Sequence, residues 1–157
     1  MLFRSFSPDG SLVATSDGDG VRLWQSDTGR ELAHLKAGFC ETVLYHPDGQ
    51  SLMSSSRWGL YRWPIRFDTD RGPDAIRIGP PELLRESAGT GWSKAAWMPD
   101  HQSLAMIDNA NSRIFLIEAS HLHPTWSRAA ALDSGENRRM TSIGVSPDGR
   151  WLAVGGW

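Results

Sequence analysis

The sequence predicts an all-β protein assembled from repeated four-stranded antiparallel sheets, and three observations carry that expectation. A four-residue phrase returns as Ser7-Pro8-Asp9-Gly10, His46-Pro47-Asp48-Gly49, Met98-Pro99-Asp100-His101 and Ser146-Pro147-Asp148-Gly149, with the prolines 39, 52 and 48 residues apart. Short apolar runs flank each copy: Leu2, Phe3 and Phe6 before the first, Leu12, Val13 and Ala14 after it. Between copies lie further turn signals, such as Asp17-Gly18-Asp19-Gly20 and Ser26-Asp27-Thr28-Gly29. A fixed period of this size marks a repeat architecture, in which each unit buries its apolar faces against its neighbours.

Each element follows from local chemistry. In the repeated phrase, proline presets φ at the first central turn position, Asp suits the second, and Gly accepts a left-handed exit. Residues 11–16 form the strand after the first turn, and Asp17-Gly18-Asp19-Gly20 is of the kind that closes a hairpin. Val21-Arg22-Leu23-Trp24 alternates as a strand does, and Glu31-Leu32-Ala33-His34-Leu35 supplies a fourth. Four short antiparallel strands in about 40 residues make one blade of a β-propeller. The units are then about 1–38, 39–88, 89–136 and the start of a fourth at 137–157, three to four blades in an incomplete ring. The stretch 64–81, rich in Pro, Arg and Asp, breaks the rhythm and is expected as a surface loop inserted between the third and fourth strands of unit two.

On Ser7-Pro8-Asp9-Gly10, Asp19-Gly20-Val21-Arg22-Leu23-Trp24, Thr28-Gly29 and Ser146-Pro147-Asp148-Gly149-Arg150-Trp151-Leu152-Ala153, the chain resembles a run of WD40 repeats over nearly its whole length. That resemblance implies a polar network in each blade, joining a Ser/Thr, an Asp and a Trp to a His from a preceding Gly-His step. Ser16, Asp19 and Trp24 match three of these positions in blade one, with Gln25 where the family often has Asp. In blade two Trp63 keeps the Trp position, Arg57 sits near the Asp position, and Gly38-Phe39-Cys40 lacks the Gly-His step. In blade three Leu116 stands in place of Trp, with Asp108 at the Asp position. The residues expected to matter are therefore structural: the network residues Ser16, Asp19, Trp24 and Trp63, and the turns Pro8, Asp9, Gly10, Pro47, Asp48, Gly49, Pro147, Asp148 and Gly149.

Composition narrows the function classes. The net charge of −2 supplies no broad basic field, so neither nucleic acid nor an anionic membrane is an expected partner. With Cys40 the single cysteine, no internal disulfide can form, which favours a reducing, cytoplasmic setting. Arginine outnumbers lysine 14 to 2, an association with GC-rich bacterial coding sequences. Eight tryptophans are many for 157 residues. Trp24, Trp63, Trp97 and Trp151 fall in predicted strands, whereas Trp58, Trp92 and Trp126 lie nearer loops.

Catalytic patterns are not evident. His121-x-His123 lacks a recognisable third ligand, and Asp17-Gly18-Asp19-Gly20 lacks the later ligands of a calcium loop. Gly89-Thr90-Gly91-Trp92-Ser93-Lys94 precedes a strand and not a helix, so it is no phosphate cradle. No catalytic residue, metal or cofactor is expected. The expected function is a non-catalytic scaffold that binds other proteins, itself a fragment of a longer propeller whose remaining blades it needs. Two or more copies closing a ring are the alternative to the fragment. Alternative functions are the sensor or scaffold tail of a bacterial serine/threonine protein kinase and, further off, a catalytic propeller such as a hydrolase.

Overall fold

The computed structural model describes residues 3–68, 70, 72, 75–86, 92–108, 113–118 and 140–156, the side chains of residues 92, 93, 108 and 113 excepted. Every element among them is a β-strand. Sheet one contains β1 (Phe3–Phe6), β2 (Leu12–Ser16), β3 (Val21–Gln25) and β4 (Glu31–Leu35), paired in chain order. Sheet two contains β5 (Cys40–Tyr45), β6 (Ser51–Ser56), β7 (Gly59–Phe67), β8 (Ile76–Ile78) and β9 (Glu82–Glu86). Sheet three contains β10 (Trp92–Trp97), β11 (Ser103–Asp108) and β12 (Arg113–Glu118), and β13 (Met140–Val145) pairs with β14 (Leu152–Gly156). All pairings are antiparallel, and the first strands β1, β5, β10 and β13 lie side by side in succession.

The repeats are in register to the residue. Phe6↔Val13, Tyr45↔Leu52, Trp97↔Leu104 and Val145↔Leu152 are the pairs that open into the four Pro-containing turns. Each turn is closed by a backbone bond from its fourth residue to its first, as Gly10 N–H to Ser7 O at 2.9 Å. Gly10, Gly49 and Gly149 sit at φ between 69° and 73°, and His101 takes the same left-handed position at 56°. His101 is the one non-glycine residue described there, so the turn geometry tolerates a side chain.

Because side chains alternate along a strand, each sheet has a front face toward the next sheet and a back face toward the preceding one. Leu12, Ala14, Val21 and Leu23 on the front of sheet one pack with Val43, Tyr45 and Leu52 on the back of sheet two. Met53 and Leu60 meet Leu104, Met106 and Ile117 in the same way, and Ile107 and Ile114 meet Met140, Ile143 and Leu152. Three cores thus repeat one packing. Polar links run along the inner strands as well: Tyr45 N–H donates to Ser5 Oγ at 2.9 Å, and the Trp97 indole donates to Tyr45 O at 2.7 Å.

The 64–81 stretch is not the loop expected from its prolines. β7 continues through Pro64 to Phe67, and β8 returns beside it with Ile65↔Ile78, Arg66↔Arg77 and Phe67↔Ile76. The alternation Ile65-Arg66 and Ile76-Arg77-Ile78 explains the strand: the isoleucines pack on the first core while the arginines point outward. β8 and β9 follow one another along the same edge of β7, with β9 opposite residues 59–62.

Gly20, just before β3, and Gly59, the equivalent residue at the start of β7, have φ of 133° and 154°, and a Cβ on either would overlap the carbonyl oxygen of Leu35 or Arg85. Gly10 has open space around its Cα. Gly59→Ala should therefore destabilise clearly more than Gly10→Ala, for which the left-handed backbone alone costs about 1–2 kcal/mol. Urea midpoints of the two variants check this ordering.

Candidate interaction surface

The expected network residues are placed by the strand register. The Trp24 indole donates to Thr15 Oγ1 at 2.8 Å, and the Trp63 indole donates to Ser54 Oγ at 2.9 Å, so both pairs span nine residues and repeat at the 39-residue offset. Ser16 is not the partner of Trp24. It lies one residue along β2, hence on the front face, where its buried hydroxyl makes no hydrogen bond among the described residues. Thr15 shares the back face with Trp24, diagonally across the β2–β3 ladder, and could have been found from the matching Ser54.

Blade three loses both members of the pair together. Its register puts Leu104↔Ile117 where Leu52↔Trp63 stand, and Met106↔Phe115 where Ser54↔Tyr61 stand. Ile117, not Leu116, thus takes the Trp position, and Met106 takes the place of the hydroxyl. Both are buried in the second core. Asp108, opposite Arg113, corresponds to Asp17 and not to Asp19. In blade two, Ser56-Arg57-Trp58-Gly59 aligns with Asp17-Gly18-Asp19-Gly20, so Trp58, and not Arg57, stands at the position of Asp19.

Asp19 itself is exposed and held by charge. Its carboxylate lies 3.4 Å from Arg22 Nη2 and 3.3 Å from His34 Nε2, while the same guanidinium reaches Glu31 at 3.2 Å and Asp17 at 4.0 Å. His34 and Glu31 come from β4 and had no marker in the sequence beyond their position in a strand. Asp17-Gly18-Asp19-Gly20 is a hairpin turn closed by Asp17 N–H to Gly20 O at 3.0 Å. His121, His123, Trp126 and Gly89 to Gly91 lie outside the described residues. Among the described residues no group of three His, Cys, Asp or Glu side chains could hold a metal. No helix among them is long and apolar enough to cross a membrane.

The turn aspartates act as local clamps. Asp9 accepts from Ser7 Oγ at 2.6 Å, from Ser11 Oγ at 2.8 Å and from Ser11 N–H at 3.1 Å. The Ser7 hydroxyl foremost, then Ser11, holds the Asp9 carboxyl below its ordinary pKa, and Ser146 does the same for Asp148. For Asp48 and Asp100 burial pushes upward but is outweighed, by Gln50 N–H and His46 in the first case and by Gln102 and Ser103 in the second. Pro8, Pro47 and Pro147 precede these carboxylates at the first central position of each turn. Burial raises the Cys40 thiol to about 11, so it stays protonated and is a poor nucleophile.

Four of the exposed large apolar side chains, all aromatic, form two contrasting pairs, beside Phe67, Leu83 and Val154, which are also exposed. Phe6 is 58% exposed where its equivalent Tyr45 is 4% exposed, and Trp151, just before β14 and not within it, is 71% exposed at the position of the buried Leu12. These sit on sheet faces that, in the other units, are covered by a neighbouring sheet. Phe39, after Gly38 in the β4–β5 connection, and Trp58, in the β6–β7 hairpin, belong to the connections instead.

Two comparisons bear on this arrangement. The family model "WD domain, G-beta repeat" matches residues 4–25, which run from β1 to the end of β3. Hydrazine synthase from Kuenenia stuttgartiensis is similar in structure, with a TM-score of 0.69 and 17% identity over 98% of this chain; the match covers 43% of that chain's length. At that identity the likeness is one of fold. No curated protein sequence matches the chain.

If the indole–hydroxyl pair matters as drawn, Ser54→Ala should cost about 1–3 kcal/mol by stranding a half-buried indole N–H. Combining it with Trp63→Phe should then cost less than the sum of the two, and additive losses in a denaturant-based double-mutant cycle would contradict the pairing. The turn aspartates predict an acid limb. Their folded pKa values lie below the unfolded one, so their stabilisation is complete above about pH 4 and is lost as pH falls through the folded values. Melting temperature from pH 7 to 3 should drop accordingly, and Asp100→Asn should flatten that drop. Residues 4–25 match one WD repeat, and the in-register turns and successive antiparallel sheets give the described residues the fold of stacked β-propeller blades.

Proposed function

We propose that this chain is a non-catalytic scaffold for protein–protein interaction and contributes consecutive blades to a longer propeller. The observation that carries this reading is the inequality between equivalent positions. Tyr45 and Leu12 are sealed between sheets, whereas Phe6 and Trp151 in the corresponding places stand open. Three cores of one design support the view that the outer faces are blade faces of the same kind and are completed by further blades. The structural relative, more than twice as long as the matched segment, is consistent with a larger parent fold.

Scaffold work suits this construction. A stack of sheets fixes the strands and leaves the connections at both ends free to vary, so rigid blades present variable loops to a partner. The serine/threonine kinase tail is a setting for the same role, because such a tail would present the same connections. Catalysis is not part of the reading: the charged side chains gathered at Arg22 pair with one another across a hairpin turn and the β3–β4 ladder.

Light scattering combined with a thermal melt of the isolated chain tests the open-face part. Association, through the faces bearing Phe6 and Trp151, is the expected result. A soluble monomer with one cooperative transition would overturn it.

A further inference from the structure

We propose that the outer edge of β14, with the apolar trough beside it, binds an extended protein segment that adds as a strand and carries large apolar side chains without N–H groups at two alternate positions; this rests on the scaffold reading above and deepens it. In each of sheets one to three the second strand is paired on both sides, its outer edge taken by β3, β7 or β12. β14 holds the place of the second strand and pairs with β13 alone among the described residues. Its outer edge is a row of backbone donors and acceptors of the kind to which an extended peptide adds.

The repeats show what belongs there. In blade two, Trp63 lies opposite Leu52 and Tyr61 opposite Ser54, and Trp63 packs on the core that holds Val21 and Leu23 of the preceding sheet. In blade three, Ile117 and Phe115 take the same places and pack with Met53 and Leu60. By register Leu152 stands at the Leu52 position and Val154 at the Ser54 position, while Ile114 and Leu116 stand where Val21 and Leu23 do. No described strand fills the space between them. A trough of about 170 Å³ opens there, lined by Ile114 and Leu116 on one side and by Val145 and Leu152 on the other, with Arg150 the one charged side chain in the lining. Val154 is 39% exposed, whereas Ser54 and Met106 at the same position are 1% and 0% exposed.

The chemistry of the occupant follows from Val154. Where the second strand offers a hydroxyl, as Thr15 and Ser54 do, the third strand brings an indole that donates to it. Where it offers Met106, the third strand brings Ile117. Val154 offers no acceptor, so a tryptophan opposite Leu152 would be covered with its N–H unpaired, and a Phe- or Ile-like side chain is the one that fits.

The test is surface plasmon resonance with the full 157-residue chain tethered singly and a peptide of residues 113–118, the β12 strand, carrying a solubilising tail. The expected result is binding that weakens about tenfold on Ile117→Trp in the peptide and recovers when this Trp peptide meets the Val154→Ser chain. Val154→Asp in the chain, and Phe115→Ser/Ile117→Ser in the peptide, should each abolish it. Undiminished binding to the Val154→Asp chain, a Trp peptide that binds the parent as well as the β12 peptide does, or no binding of the β12 peptide would overturn the edge assignment. Each of these outcomes leaves the scaffold reading to the light-scattering result. Matching melting temperatures of the parent and the Val154 variants separate lost binding from lost folding.

Discussion

The constraint on which everything else depends is that no sheet among the described residues has a core of its own. Leu12, Ala14, Val21 and Leu23 gather on one face of sheet one, and the side chains that keep water off them, Val43, Tyr45 and Leu52, belong to the next sheet. At roughly 25 cal/mol for each Å² of apolar surface removed from water, such burial outweighs the smaller polar terms within any blade. It also demands that successive sheets hold one register, because a one-residue slip would turn each apolar face away from its partner. The Pro-Asp-Gly turns set that register. Their aspartates hold the turn that joins the two strands of each hairpin, through contacts local to that turn.

Once stacking is in charge, the polar network becomes optional, and blade three shows how it can be removed. A lone change from Trp to Ile would leave a buried hydroxyl without its donor, and a lone change from Ser to Met would strand an indole N–H. Either costs about 1–3 kcal/mol, whereas replacing both partners by apolar groups can be nearly neutral. Ile117 and Met106 occupy the two places together, inside the second core. The pair is lost as a unit because it was formed as a unit.

The same hierarchy explains what the sequence made legible. Strand order, the four turns and the antiparallel sheets followed from turn chemistry and alternation, which are local. Phase did not. Ser16 for Thr15, Leu116 for Ile117 and Arg57 for Trp58 are each displaced by one residue, since period-2 alternation allows either face until the cross-strand partner is known. The arm of β7 and β8 was obscured by Pro64, Gly79 and Pro80, whose turn signals outweighed the isoleucine alternation beside them. His34 and Glu31 meet Arg22 across a ladder register that spacing alone did not reveal.

Sequence is free to vary where stacking exerts no demand. The two aligned hairpins Asp17-Gly18-Asp19-Gly20 and Ser56-Arg57-Trp58-Gly59 share only their last residue, the glycine whose side of the chain is closed by the carbonyl of Leu35 or Arg85. At the position before it, one hairpin carries a carboxylate engaged by Arg22 and His34 and the other an indole open to solvent. An exposed tryptophan gains nothing from burial and adds nothing to the turn. Its presence beside Arg57, on a framework that accepts Asp equally well, marks a position that the fold leaves free to vary.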